Sequence, residues 1–253
     1  ETNPRLAIQY KDNFLVSYIG GIGPHRGLDT AIQGTTEAKD QIPNLKLIIV
    51  GSGSPAVIAH LKSIIEEKDL DQYVEILGYH PFSEVWALMK HSNVNIIPHQ
   101  SNSHTNNTIP HKLFQIMMTD SPLLVSSCAP LKRVVESNDA GFVFEANSAS
   151  SFAASIIQIH NDKKEAQKRS LNAKEAVLKG ELNWEVDELE HIPGEYNPNG
   201  DKMECFMQAS RDYIKWLKRG YSRMTQINSQ LVRNNKMDPK SIFTFFDVFS
   251  FFS

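Results

Sequence analysis

The amino-acid sequence predicts an α/β fold built on a doubly wound parallel sheet, with a mostly helical C-terminal tail. Three observations carry that expectation. Short runs rich in Val, Ile and Leu recur between residues 14 and 125, helix-spaced stretches separate them, and several runs end in glycine-bearing loops. Strands that alternate with helices in this way imply repeated β-α-β units, and hence parallel pairing.

The apolar runs fall at residues 14–19, 45–50, 74–77, 94–97 and 123–125. They are near-continuous rather than alternating, the mark of strands covered on both faces. Helical spacing occupies 28–38, 55–68, 83–91, 110–118, 131–137 and 150–160. Residues 161–190 read as one or two polar helices with Trp184 as an aromatic anchor. After Ile192 the stretch Pro-Gly-Glu-Tyr-Asn-Pro-Asn-Gly breaks any helix and reads as a linker. Residues 203–232 return to helical spacing, and 243–252 are dense in Phe. The expected organisation is a domain over 1–192, then a linker and helical tail over 193–253 to which the sequence assigns no role.

With 253 residues, 41% hydrophobic and 22% charged, the chain can bury one ordinary core with some chain left over. A net charge of -3 supplies no basic face for nucleic acid. The Lys and Arg residues between 163 and 179 are interrupted by Glu165 and Glu175, as on a solvated helix face. Cys128 and Cys205 lie outside any ligand-like spacing, so no disulfide framework or zinc site is expected and a reducing compartment fits. No run approaches the roughly 18 apolar residues of a membrane span, and the first residues given lack the basic-then-apolar order of a signal peptide. A cytoplasmic domain, with peripheral contact at the inner membrane face as an option, is the expectation. Because Glu1 stands where a methionine would, a preceding segment is expected as well.

Ligands of doubly wound sheets bind at the carboxyl ends of the strands, so the loops there are the places to look for chemistry. The first is Tyr18-Ile-Gly-Gly-Ile-Gly-Pro-His-Arg-Gly-Leu-Asp-Thr. Gly20 and Gly21 let backbone approach a ligand, and Arg26 stands at the entrance to a helix. Free N–H groups, a positive helix end and a guanidinium together suit an anion. A tight turn with a surface arginine explains the same loop without one. A second loop, Gly51-Ser-Gly-Ser-Pro, brings Gly51 and Gly53 to the end of the next strand. In Ile76-Leu-Gly-Tyr-His, Tyr79 could border a flat ring or simply pack on its loop. The richest segment is Ser103-His-Thr-Asn-Asn-Thr-Ile-Pro-His-Lys-Leu-Phe-Gln. There Pro110 is expected in a first helical turn, leaving the N–H groups before it free, with Thr108 as cap and Lys112 adding positive charge. Gln115 lies on the same helix face as Lys112, within reach of sugar hydroxyls. A polar helix start capped by Thr108 explains the same residues without a ligand.

In this order the loops resemble the C-terminal domain of the glycosyltransferase group that includes glycogen and sucrose synthases and many bacterial polysaccharide enzymes. The resemblance is to the C-terminal, Rossmann-like half of a GT-B fold of the family 4 kind. It runs from Phe14 to about Glu190 through Tyr18-Ile-Gly-Gly, Arg26-Gly-Leu, Leu47-Ile-Ile-Val-Gly-Ser-Gly, Ile76-Leu-Gly-Tyr, Val94-Asn-Ile-Ile-Pro, Pro110-His-Lys-Leu-Phe-Gln, Ala140-Gly-Phe-Val-Phe and Asn183-Trp-Glu. It implies a retaining enzyme that takes a nucleoside-diphosphate sugar as donor, with no metal and no other cofactor. An N-terminal domain, in cis or in trans, would hold a glycan or lipid-linked acceptor. By the same resemblance Arg26 and Lys112 would stabilise the leaving diphosphate. Gly20, Gly21, Gly51, Gly53, Tyr79, Asn107, Thr108, Ile109 and Gln115 would line the donor site.

The chain departs from the family pattern at three of these positions. Gly21 stands where the first residue of a basic pair is commonly Arg, and Asn107 and Gln115 stand where two glutamates would be. The pattern is nonetheless similar to a bacterial surface-polysaccharide branch, in which Lys112 would take over part of the phosphate charge. Two readings compete with a transferase half-enzyme. One is a non-catalytic nucleotide-sugar-binding module, which the three uncharged positions favour. The other is a nucleotide-sugar epimerase, disfavoured because acidic and histidine residues are not gathered at the strand ends.

Overall fold

A computed structural model of the chain describes residues 3–179. The strands are β1 (Phe14–Ile19), β2 (Leu45–Val50), β3 (Val74–Gly78), β4 (Val94–Ile97), β5 (Leu123–Ser126) and β6 (Phe142–Phe144). They form one parallel sheet in the order β3-β2-β1-β4-β5-β6. The helices are α1 (Arg5–Gln9), α2 (Leu28–Ala38), α3 (Pro55–Glu67), α4 (Phe82–His91), α5 (Lys112–Met117), α6 (Ala129–Ser137), α7 (Ala149–Asn161) and α8 (Lys163–Lys179). A 3-10 turn, Pro24–Arg26, precedes α2. The doubly wound parallel sheet expected from the sequence is therefore the one found.

Successive side chains of a strand point to opposite faces, and here both faces are buried. Phe14, Val16 and Tyr18 of β1, with Leu45, Leu47 and Ile49 of β2, pack under α2, α3 and α7. Leu15 of β1, with Ile48 and Val50 of β2, packs under α1, α4, α5 and α6. That is why the strands read as continuous apolar runs. Among the described residues no helix is long and apolar enough to cross a membrane.

The structure corrects the sequence reading in several places. β6 has only three residues, too few to show a period, yet it pairs in register with β5 through Leu124↔Phe142, Val125↔Val143 and Ser126↔Phe144. The short helix α1 precedes the first strand, where no element was expected. Helix α5 starts at Lys112 rather than Pro110, because the Leu113 and Phe114 N–H groups first bond to the Pro110 and His111 carbonyls at 3.0 and 3.1 Å. Thr108 does not cap it: its hydroxyl donates to the His104 carbonyl at 2.9 Å and closes the turn before. Of the expected polar helices over 161–190, α8 is seen to Lys179. The remainder, together with Trp184 and the linker and tail over 193–253, lies outside the described residues.

Candidate functional site

A parallel sheet opens a crevice where neighbouring connections leave in opposite directions, which in this strand order is between β1 and β4. The chain leaves β1 through Gly20 and Gly21, and leaves β4 through Pro98, His99 and Gln100. The two loops are locked together. A Cβ added at Gly27 would fall 1.8 Å from the Pro98 carbonyl oxygen, and Gly27 has φ +65°, so this crossing requires glycine. The Gln100 N–H also donates to the His25 carbonyl at 3.1 Å.

This interlock brings Arg26 and His99 together, with Nη1 of the guanidinium 3.2 Å from Nε2 of the ring. Lys112, at the first turn of α5, reaches the same place from another direction. Its Nζ lies 3.9 Å from the centroid of the Tyr18 ring, a cation–π contact, and 3.6 Å from where a Cβ on Gly20 would stand. The buried Tyr18 hydroxyl donates to the Gly21 carbonyl at 2.6 Å, tethering the loop over the end of β1. Burial pushes the phenol upward, against the pull of Arg26, so it stays protonated and able to donate.

Burial and neighbouring cations set the electrostatics of the site. His99 is pushed down to about 2, first by burial and then by Lys112, Arg26, His25 and His104. His25, edge-on to His104 at 5.8 Å, is also lowered, by burial, Arg26 and His104. A second positive charge is disfavoured because several positive groups already converge there. Backbone donors are present too. Among the described residues the N–H groups of Gly21, Thr108 and Ile109 donate to no other group.

The remaining expected site residues are distributed unevenly. Gly20, Gly21, Arg26 and Lys112 lie together around the end of β1. Gly51 and Gly53 are explained by the chain itself: a Cβ there would meet the Gly20 and Ile22 carbonyls at 1.8 and 2.5 Å. Tyr79 is 76% exposed at the end of β3, two strands from β1. Asn107 is exposed and its amide donates to the Ser103 carbonyl at 2.6 Å. Ile109 packs on the core beside α5, and Gln115 is half-buried on that helix. His99 and Tyr18 were not singled out from the sequence. The position of His99 one residue past Pro98, at the end of a strand flanking the crevice, was the signal available.

Likeness to known proteins bears on the family and the fold. Residues 3–176 match the family described as glycosyl transferases group 1. The putative colanic acid biosynthesis glycosyltransferase WcaL of Escherichia coli (strain K12) is 26% identical over 141 residues, 54% of this chain and 34% of WcaL. The amylovoran biosynthesis glycosyltransferase AmsK of Erwinia amylovora is 24% identical over 135 residues, 53% of this chain and 33% of AmsK. The chain thus spans about a third of the length of these relatives. Anabaena Alr3699/HepE in complex with UDP matches with a TM-score of 0.62 at 16% identity, over 74% of this chain and 49% of that one. The C-terminal domain of the group 1 protein LpcC from Francisella tularensis matches with a TM-score of 0.59 at 13% identity, over 71% of this chain and 93% of that domain. At such identities the structural likeness shows the fold, the Rossmann-like sheet of GT-B transferases. With the family match covering nearly every described residue, the chain belongs to the group 1 glycosyltransferases.

Proposed function

We propose that this domain holds the donor of a retaining glycosyltransferase, gripping the diphosphate of a nucleoside-diphosphate sugar at the β1/β4 crevice. The observation that carries the reading is that Arg26 and Lys112 both lie around His99 and Tyr18 at the end of β1, where the Gly21 N–H donates to no group of the described chain. Two side-chain cations and fixed dipoles stabilise a leaving diphosphate without a metal, the role such preorganised donors play wherever negative charge develops. UDP is held by the HepE neighbour, which supports a nucleotide as ligand. Transfer also needs an acceptor hydroxyl set against the anomeric carbon. A further domain, in cis or in trans, supplies that second wall, and the acceptor is a glycan or lipid-linked sugar, as the polysaccharide roles named for WcaL and AmsK suggest. The free, buried Cys128 suits a cytoplasmic location, with peripheral contact at the inner membrane face.

Calorimetry with UDP, GDP and ADP, with and without magnesium, tests the reading. Binding without metal is expected. Arg26→Ala and Lys112→Ala should each weaken it by about tenfold or more, since a hydrogen bond to a charged group is worth about 1.5–3 kcal/mol. No binding, or strict dependence on magnesium, overturns the reading. The alternative of a binding module without turnover is favoured by Gly21, which has no side chain, and by Asn107, whose amide is engaged with Ser103. Sugar transfer after an N-terminal group 1 domain is supplied would exclude that alternative.

A further inference from the structure

We infer that His99 is a positioning residue: its Nε2 accepts an N–H from the Arg26 guanidinium and holds that cation at the mouth of the β1/β4 crevice. The inference rests on the diphosphate reading above and adds to it the group that aims the cation.

Four observations carry it. A guanidinium only donates, so at 3.2 Å the ring nitrogen must be the acceptor, and the neutral ring then carries its proton on Nδ1. His99 is 3% exposed, and burial among Lys112, Arg26, His25 and His104 keeps the imidazole neutral, so the accepting lone pair is present throughout the physiological range. Both ends of the hydrogen bond are mounted on fixed backbone. Gly27 presses on the Pro98 carbonyl, Gln100 N–H is tied to His25, and the His99 carbonyl accepts from the Cys128 thiol at 3.5 Å.

The choice of a neutral partner is the fourth observation. A carboxylate would orient Arg26 equally well but would cancel the charge that an anionic ligand needs. The nearby carboxylate of Asp29 accepts instead from the Gln100 amide at 3.1 and 3.3 Å. An imidazole acceptor restrains the long arginine side chain before the ligand arrives, so less freedom is lost on binding.

The test uses the 253-residue chain as wild type, His99→Ala, His99→Gln, Arg26→Ala and the Arg26→Ala/His99→Ala double variant. Glutamine places an acceptor near the position of Nε2, so it serves as the conservative replacement. UDP affinity should fall about three- to tenfold in His99→Ala and recover in His99→Gln, and His99→Ala should cost nothing further once Arg26 is gone. In the ligand-free protein, side-chain NMR should show the Arg26 N–H protons protected from exchange in wild type and His99→Gln, and unprotected in His99→Ala. Equal protection in wild type and His99→Ala, or additive losses in the double variant, overturns the inference. If the wild type fails to bind UDP, the diphosphate reading falls, while the exchange comparison still decides whether His99 holds Arg26.

Discussion

Gly21→Arg should tighten diphosphate binding. A Cβ at this position would meet nothing within 4 Å, and the backbone is anchored by the Tyr18 hydroxyl on the Gly21 carbonyl. The new side chain would grow into open space from a fixed point one residue past Gly20, where a Cβ would lie 3.6 Å from Lys112 Nζ. A charge-assisted contact with phosphate contributes about 1.5–3 kcal/mol, against which stands up to about 2 kcal/mol of lost rotamer freedom. The expected net gain is about 1 kcal/mol, or roughly fivefold in affinity. The ligand-free variant should be slightly less stable than wild type, because a third cation joins Arg26 and Lys112. At about 8 Å and high effective dielectric each such pair costs about 0.5 kcal/mol. Calorimetry at low and high salt, with thermal unfolding of the free protein, reads both signs, and salt should shrink both. A folded Gly21→Arg protein whose affinity for UDP is unchanged or weaker would refute the placement of the diphosphate beside Gly21.

Two further predictions concern stability. Gly27→Ala should cost about 2 kcal/mol or more in denaturant unfolding, since the position has φ +65° and its Cβ would overlap the Pro98 carbonyl. Gly23→Ala is the control: its Cβ would find its nearest neighbour, His25, at 3.8 Å, and stability should hardly change. Acidification should destabilise the protein through His99, whose folded value of about 2 lies below the ordinary 6.5. The unfolded chain then binds the extra proton, so this contribution is intact above about 6.5 and is lost as pH falls toward the folded value. At about 1.4 kcal/mol per pH unit, roughly 2 kcal/mol should go between pH 6.5 and 5, and His99→Gln should flatten that slope. An unfolding free energy with the same pH slope in wild type and His99→Gln would contradict the assignment.

Much of the fold was legible because burial on both faces leaves a strong mark. β1, β2 and β4 and the helix α2 fall where their apolar patterns put them. What escaped was short. α1 has five residues, of which Leu6 and Ala7 are buried, and it begins after Pro4 with no side-chain cap. β6 is held by pairing with β5 and by Gly141, where a Cβ would meet the Leu123 carbonyl at 2.6 Å, rather than by any period of its own. At α5 the proline was read as part of the first helical turn, but His111 is the N-cap and the helix begins only at Lys112, two residues after Pro110.

The candidate site was legible only along single loops. Arg26 and Lys112 each stand in a segment that advertises itself by glycine, proline and positive charge. His99 is 73 residues from Arg26, and only the placement of β4 beside β1 makes them neighbours. No spacing rule within one loop can reveal that pairing. The glycines show the converse ambiguity. Gly20, Gly21, Gly27, Gly51 and Gly53 look alike in sequence, as residues that let something approach. In the structure the approaching group at Gly27, Gly51 and Gly53 is another stretch of this backbone, within 1.8–2.5 Å of where a Cβ would be. At Gly21 no group of the described chain approaches. Small size is therefore consumed by the fold at three positions and left open to solvent at Gly21, which is why substitution there reports on a ligand while substitution at Gly27 reports on the fold.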